Sequence, residues 1–173
     1  MSYLRIAAIY ASLSATKADY LKSKIFGKVA SYADIDGWIK ANSWSAQTSP
    51  VEIGGVIASN FVWRADGWLD YALDPRVFLV RKADDCDGFS LFAEYVCNKL
   101  GIPAYRAYIK ASSGRGHVVC VANNSVAIGN WQPLTLTGST LAQHGQQIAQ
   151  KMEGNMSYTI AFKGSSYQEY TEQ

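Results

Sequence analysis

Cysteine is scarce in this sequence, with three in 173 residues, at positions 86, 97 and 120. An odd number without a C-x-x-C spacing argues against a disulfide framework and against a zinc knuckle. Histidine is scarcer, with only His117 and His144, so chemistry that needs an imidazole has two candidates. Charge is thin as well: charged residues make up 17% of the chain and the formal net charge is +2. No stripe of Lys and Arg is present, which argues against a nucleic-acid partner. No apolar run is long enough to span a bilayer, so no membrane partner is expected. The opening stretch MSYLRIAAIYASLSATK lacks a charged segment ahead of a long apolar one. It reads as part of the fold and not as a secretion signal, which makes the cytoplasm the default expectation.

What the chain does have is apolar bulk. Hydrophobic residues make up 49%, with five Trp, eleven Tyr and six Phe. That is enough for a sizeable core, or for a groove lined with rings. The length suits a single domain, residues 1–173, helical to about residue 100 and sheet-rich from about 101. Helical spacing is expected over 14–29 and again over 31–44, where Ile35, Trp38 and Ile39 share a side. The stretch SAQTSPVEIGG (45–55) reads as a loop, and 56–83 as short helical pieces with turns near Gly67 and Pro75. The clearest helix follows. Cys86, Phe89, Ser90, Ala93, Val96, Cys97 and Leu100 fall on one face, Asp84 or Asp85 is placed to cap the start, and Gly101 and Pro103 stop it. The period then changes to two in AYRAYIKAS, GHVVCVANN and SVAIGNW, with a hairpin turn at Asn123-Asn124-Ser125. A helix over 139–154 and a strand over 156–164 follow, and the polar tail is expected to fray. This order predicts an α+β fold with an antiparallel sheet.

Cys86 stands out by position. The first turn of a helix offers unpaired N–H groups and the positive end of the dipole, which favour a thiolate and an oxyanion. Asp85 and Asp87 oppose this, so a histidinium partner is needed to offset them. As small apolar residues, Cys97 and Cys120 fit a core. His117 opens a strand after the Gly-rich turn SSGRG, whereas His144 lies beside an apolar helical stripe and reads as structural or solvent-exposed. A Cys–His pair needs a third group to fix the imidazole tautomer. With the turn at Asn123-Asn124, the residue across from His117 falls near position 130, where Asn130 stands and Trp131 follows as a shield.

The residues DPRVFLVRKADDCDGFSLFAEYVCNKLGIPAYRAYI, then GHVVCV, then AIGNW, resemble the transglutaminase-like cysteine proteinases of bacteria, part of the wider papain-like group. The resemblance covers about Asp74 to Pro133. It implies a papain-like fold in which a central helix carrying Cys86 packs on an antiparallel sheet. It also implies Cys86 as nucleophile, His117 as base, a peptide or protein as substrate, and acyl transfer through a thioester. The third member in such proteins is usually Asp, and the alignment sets either Gly129 or Asn130 in that place; an amide is a known substitute, which favours Asn130. Some members bind calcium through acids around the cysteine. Asp85 and Asp87 match that feature, while Gly88 stands where another acid is common.

The sequence therefore points to a cysteine peptidase or amide hydrolase with Cys86, His117 and Asn130 as its triad. No cofactor is required, and calcium is a possible ligand of Asp85 and Asp87. The N–H of Cys86 supplies one oxyanion donor, with Trp68, Trp63, Gln47 and Trp131 as candidates for further oxyanion or substrate contacts. Two rivals stand beside this reading: an inactive relative kept as a binding module, and a subunit whose rings make contacts in a larger assembly. In the folded protein at neutral pH, Cys86 is expected to react with iodoacetamide at least about tenfold faster than Cys97 or Cys120. Brief labelling followed by peptide mapping reads this directly, and equal rates at all three thiols would remove Cys86 from the argument.

Overall fold

The computed structural model describes residues 30–65, 73–163 and 166–172. The helix expected over 14–29, the opening stretch, the turn at Gly67 and the candidate Trp68 lie outside them.

Helix α1 (Tyr32–Ala41) begins at Ser31, whose hydroxyl and the Asp34 carboxylate form a reciprocal capping box, and it buries Ile35 and Ile39. The expected loop over 45–55 is instead half helix. In α2 (Pro50–Asn60), Ser49 caps the Val51 N–H, Pro50 takes the first position, and Ile53, Gly54 and Ile57 are buried. Ser-Pro is here a helix-start signal, because Pro lacks the N–H that a first-turn residue would leave unpaired. The same chemistry recurs at α3 (Pro75–Arg81), where Asp74 accepts from the Arg76 N–H, so Pro75 opens a helix and makes no turn. The two-residue strands β1 (Val62–Trp63) and β2 (Ala83–Asp84) pair in parallel.

Helix α4 (Cys86–Lys99) is capped by Asp85, whose carboxylate accepts from the Asp87 N–H. Gly101, at φ +77°, and Pro103 follow its end, as the pattern requires. Gly88 is fixed by close approach: a β-carbon there would run into the Asp84 carboxylate. That carboxylate also accepts from the Leu73 N–H, 3.3 Å away.

The remaining chain builds one antiparallel sheet. Its strands are β3 (Ala104–Ala111), β4 (Gly116–Ala122), β5 (Val126–Ile128), β6 (Leu134–Thr135), β7 (Met156–Lys163) and β8 (Ser166–Glu172), in the order β6-β5-β4-β3-β7-β8. Asn123 and Asn124 both adopt positive φ, as a tight β4–β5 turn demands. The tail expected to fray is strand β8, paired with β7 from Tyr158–Glu172 to Lys163–Ser166. It lies at the sheet edge, where polar residues are tolerated, so its polarity concealed a strand. Helix α5 (Leu141–Lys151) is opened by a capping box of Thr140 and Gln143.

The sheet separates two cores. On one face Ala104, Cys120, Ala122, Val126 and Ile128 meet Phe89, Phe92, Val96 and Cys97 of α4, with α1 to α3 packed outside. On the other, Ala107, Ile109, Val119, Val121 and Ala127 meet Leu141, Ile148, Ala149 and Met152 of α5 and its end. The fold is thus α+β, with an antiparallel sheet between helices. Among the described residues no helix is long and apolar enough to cross a membrane.

A charged pair crosses the first interface. Glu94 of α4 accepts from Arg106 Nε of β3 at 3.0 Å, and both side chains are almost wholly buried. Arg106 also stacks over Phe162, 4.6 Å from the ring centroid. Glu94→Ala leaves a buried guanidinium without its acid and is expected to cost about 3–5 kcal/mol, whereas Glu94→Met combined with Arg106→Met costs much less. Denaturation midpoints of the two variants test this; a double variant as damaged as the single one would refute it.

Candidate active site

Cys86 is the first residue of α4, half-buried, and packs against Val118, Ile160 and Phe162 of the sheet. Its thiol donates to Asp87 Oδ1 at 3.8 Å. The Asp87 side chain is buried, and Ser90 Oγ donates to its backbone carbonyl at 2.9 Å. Cys97 and Cys120 are wholly buried in the α4 core, and burial pushes the Cys120 thiol up, with Cys97 beside it adding to the rise.

His117 lies on β4 next to Val118, a member of the cluster on which Cys86 packs. Alternation turns Val118 toward α4 and His117 toward the α5 side, in line with Val119 and Val121. The imidazole stacks on Trp131, with ring centroids 4.1 Å apart. Burial lowers its pKa from 6.5 to about 4, so it is neutral at pH 7. Nε2 is buried and has no hydrogen-bond partner among the described residues; the same holds for Asn130 Oδ1 and Trp131 Nε1.

The hydrogen bond expected between Asn130 and His117 is therefore not made here. Strands β4 and β5 pair as far as Cys120 with Ile128, and Gly129, Asn130 and Trp131 follow in a bend. A β-carbon on Gly129 would lie 3.4 Å from His117 Nε2 and 3.5 Å from Val119 Cγ1. The backbone position facing Nε2 is thus 129, which carries no side chain, and Asn130 stands one residue further on. The strand pairing expected to carry position 130 to His117 ends at Ile128, before that residue.

The other sequence candidates are scattered. Trp131 is at the site, as the cover on His117. Trp63 is more than half exposed and pairs with Asp84, two residues before the thiol. Gln47 sits in an exposed turn, its Oε1 accepting from Ser45 Oγ at 2.9 Å. His144 is buried and structural: Nε2 donates to the Gly138 carbonyl at 3.0 Å, and Nδ1 faces the Tyr105 hydroxyl at 3.4 Å. The sequence reading overlooked Tyr108, Tyr158 and Tyr170, which rest on the same Val118–Ile160–Phe162 cluster as Cys86. The signal was there in AYRAYIK, where period two sets Tyr108 on the face of Arg106.

Asp85, Cys86 and Asp87 bring one ligand atom each to within 4.8 Å of one another. Calcium takes about six to eight oxygens. This group offers two carboxylates, one of them engaged in capping α4, and a soft sulfur. It does not make a calcium site by itself.

No family model and no curated protein matches the sequence. Among solved structures the chain is similar to calcium-bound LapG of Legionella pneumophila, at 14% identity over 72% of this chain and 75% of that one, with a TM-score of 0.47. A second LapG structure from that organism gives 14%, 70%, 73% and 0.44 in the same order. A candidate cysteine protease of Cytophaga hutchinsonii gives 13% identity over 72% of this chain and 43% of its own length, with a TM-score of 0.38. Likeness at this level concerns the course of the chain and says nothing of residues or reaction.

His117 binds its proton less readily folded than unfolded, so its neutral form stabilises the protein above pH 6.5. That contribution is lost as pH falls through 6.5 toward 4. The loss is expected to be on the order of 3 kcal/mol. Urea midpoints between pH 7 and pH 4 check it, and His117→Gln should flatten the dependence; an unchanged slope in that variant would place His117 in a solvated setting.

Proposed function

We propose that this protein is a thiol-dependent acyl-transfer enzyme, a cysteine peptidase or amide hydrolase, with Cys86 as nucleophile and His117 as its base. The observation that carries this reading is one corner of the fold. The thiol opens α4 and packs on the cluster of Val118, Ile160 and Phe162, and the neighbour of Val118 along the strand is a buried imidazole whose Nε2 has no partner among the described residues. Since Nε2 faces Gly129, Nδ1 is the nitrogen left to take the thiol proton. The Cys86 sulfur then bonds to the substrate carbonyl carbon, and the N-terminus of α4 receives the oxyanion. His117 returns the proton to the leaving amine, and water releases the acyl group from the thioester.

Asn130 is the proposed orienting residue, because Gly129 has no side chain to offer. Two orphaned atoms on this corner, His117 Nε2 and Asn130 Oδ1, are a donor and an acceptor. Hydrogen bonds of this kind are often loose in the substrate-free enzyme and tighten with substrate. One set of observations favours the binding-module reading instead. The thiol donates to Asp87 Oδ1, and the imidazole, lowered to about 4, is neutral at pH 7.

Acylation of Cys86 by an activated ester, followed by mass, separates the two. His117→Ala is expected to lose roughly 10²–10⁴-fold, and Asn130→Ala a smaller factor, since an orienting residue transfers no proton. Gly129→Asp is expected to accelerate the reaction, because its carboxylate would accept from Nε2 and stabilise the imidazolium. Wild-type rates in His117→Ala would remove the mechanism and leave the binding module as the better reading.

A further inference from the structure

On the α4 face of the sheet, three tyrosines stand in a row on three neighbouring strands: Tyr108 on β3, Tyr158 on β7 and Tyr170 on β8. Their ring centroids are spaced 6.0 Å and 6.0 Å apart, with planes tilted by 39° and 37°. All three are half-buried. The row starts beside the nucleophile, since Cys86 and the three rings rest on one cluster of Val118, Ile160 and Phe162. Tyr108 lies across from Val118 on one side and Ile160 on the other, and its hydroxyl lies over exposed Gly116.

The polar ends of the row are engaged within the protein. Tyr108 and Tyr158 are hydrogen-bonded through their side chains, and the Tyr170 hydroxyl donates to Glu172. Each of the three side chains keeps part of its surface open to solvent, with its hydroxyl already engaged. From β3 to β8 the row advances two strand spacings, about 10 Å, which is the length of about three extended residues. Ring surface in this amount, beginning at a nucleophile, suits a flat apolar group that stacks on it.

We propose that Tyr108, Tyr158 and Tyr170 form the acyl-side subsite of the Cys86 centre, and that it takes an apolar, preferentially aromatic, group of the acyl segment. This rests on Cys86 being the nucleophile. The row selects the substrate by stacking, and the corner of Cys86 and His117 carries out the transfer. A cationic group would also be drawn to ring faces, but Arg106 already occupies the Phe162 ring beneath them.

The test uses three p-nitrophenyl esters: acetate, 4-phenylbutyrate and 6-aminohexanoate. In each the Cys86 sulfur bonds to the acyl carbon, p-nitrophenolate departs with the electron pair of the broken C–O bond, and the thiol proton goes to His117. The phenylbutyryl ester is expected to acylate Cys86 at least about tenfold faster than acetate in the wild type, with the ratio falling toward one in Tyr158→Ala. Tyr170→Ala, at the sheet edge, serves if Tyr158→Ala melts early. A wild-type ratio near one, a ratio untouched in both variants, or a preference for the aminohexanoyl ester would overturn the subsite. Absence of Cys86 acylation by every ester would sink the nucleophile and not the row. The row is then read by titrating 4-phenylbutyramide into Cys86→Ser protein labelled on tyrosine. Shifted ring resonances of the row support the subsite, and unmoved ones overturn it.

Discussion

The buried ion pair of Glu94 and Arg106 fixes where helix α4 lies on the sheet. Apolar packing alone tolerates small slides, because Phe, Val and Cys faces are smooth and their attraction is non-directional. A buried carboxylate facing a buried guanidinium allows no such slide, since either charge left alone in the core is strongly unfavourable. Glu94 lies eight positions along α4 from Cys86, so locking that point on β3 also sets the thiol against the cluster of Val118, Ile160 and Phe162. Gly88 refines the placement: with no side chain there, the Asp84 carboxylate presses against the first turn of the helix.

The sheet acts as a divider whose two faces hold different candidate residues. Along β4 the side chains of Val118 and Cys120 face α4, and those of His117 and Val119 face the α5 side. Cys86 and the tyrosine row lie on the first face; His117, under the Trp131 ring, is on the second. His117 stands near the start of its strand, by the exposed Gly116. The same placement buries the imidazole, and burial without a charge partner holds it neutral. An imidazole that resists protonation carries no positive charge at pH 7.

Much of this was legible in the sequence. The helix from Cys86 to its Gly101 stop, the period-two strands, the Asn123-Asn124 turn and the apolar setting of Cys97 and Cys120 all follow from local pattern. The misreadings have local causes too. Ser49-Pro50 and Asp74-Pro75 are helix starts, which look like turns when Pro is taken as a breaker. The polar alternation of SYQEYTE suits an edge strand as well as a loose tail, and only its pairing with β7 distinguishes them.

By itself the sequence determined most of the elements, because capping, periodicity and turn formation act over a few residues. It named the thiol at a helix start, the imidazole on a strand and the amide near it. Tertiary structure alone decided which of these face one another. Whether 129 or 130 lies beside His117 depends on a one-residue register, and the convergence of Tyr108, Tyr158 and Tyr170 on Cys86 depends on the pairing of strands some fifty residues apart. Such contacts are set by the closing of the sheet and the docking of α4 on it, which no local pattern encodes.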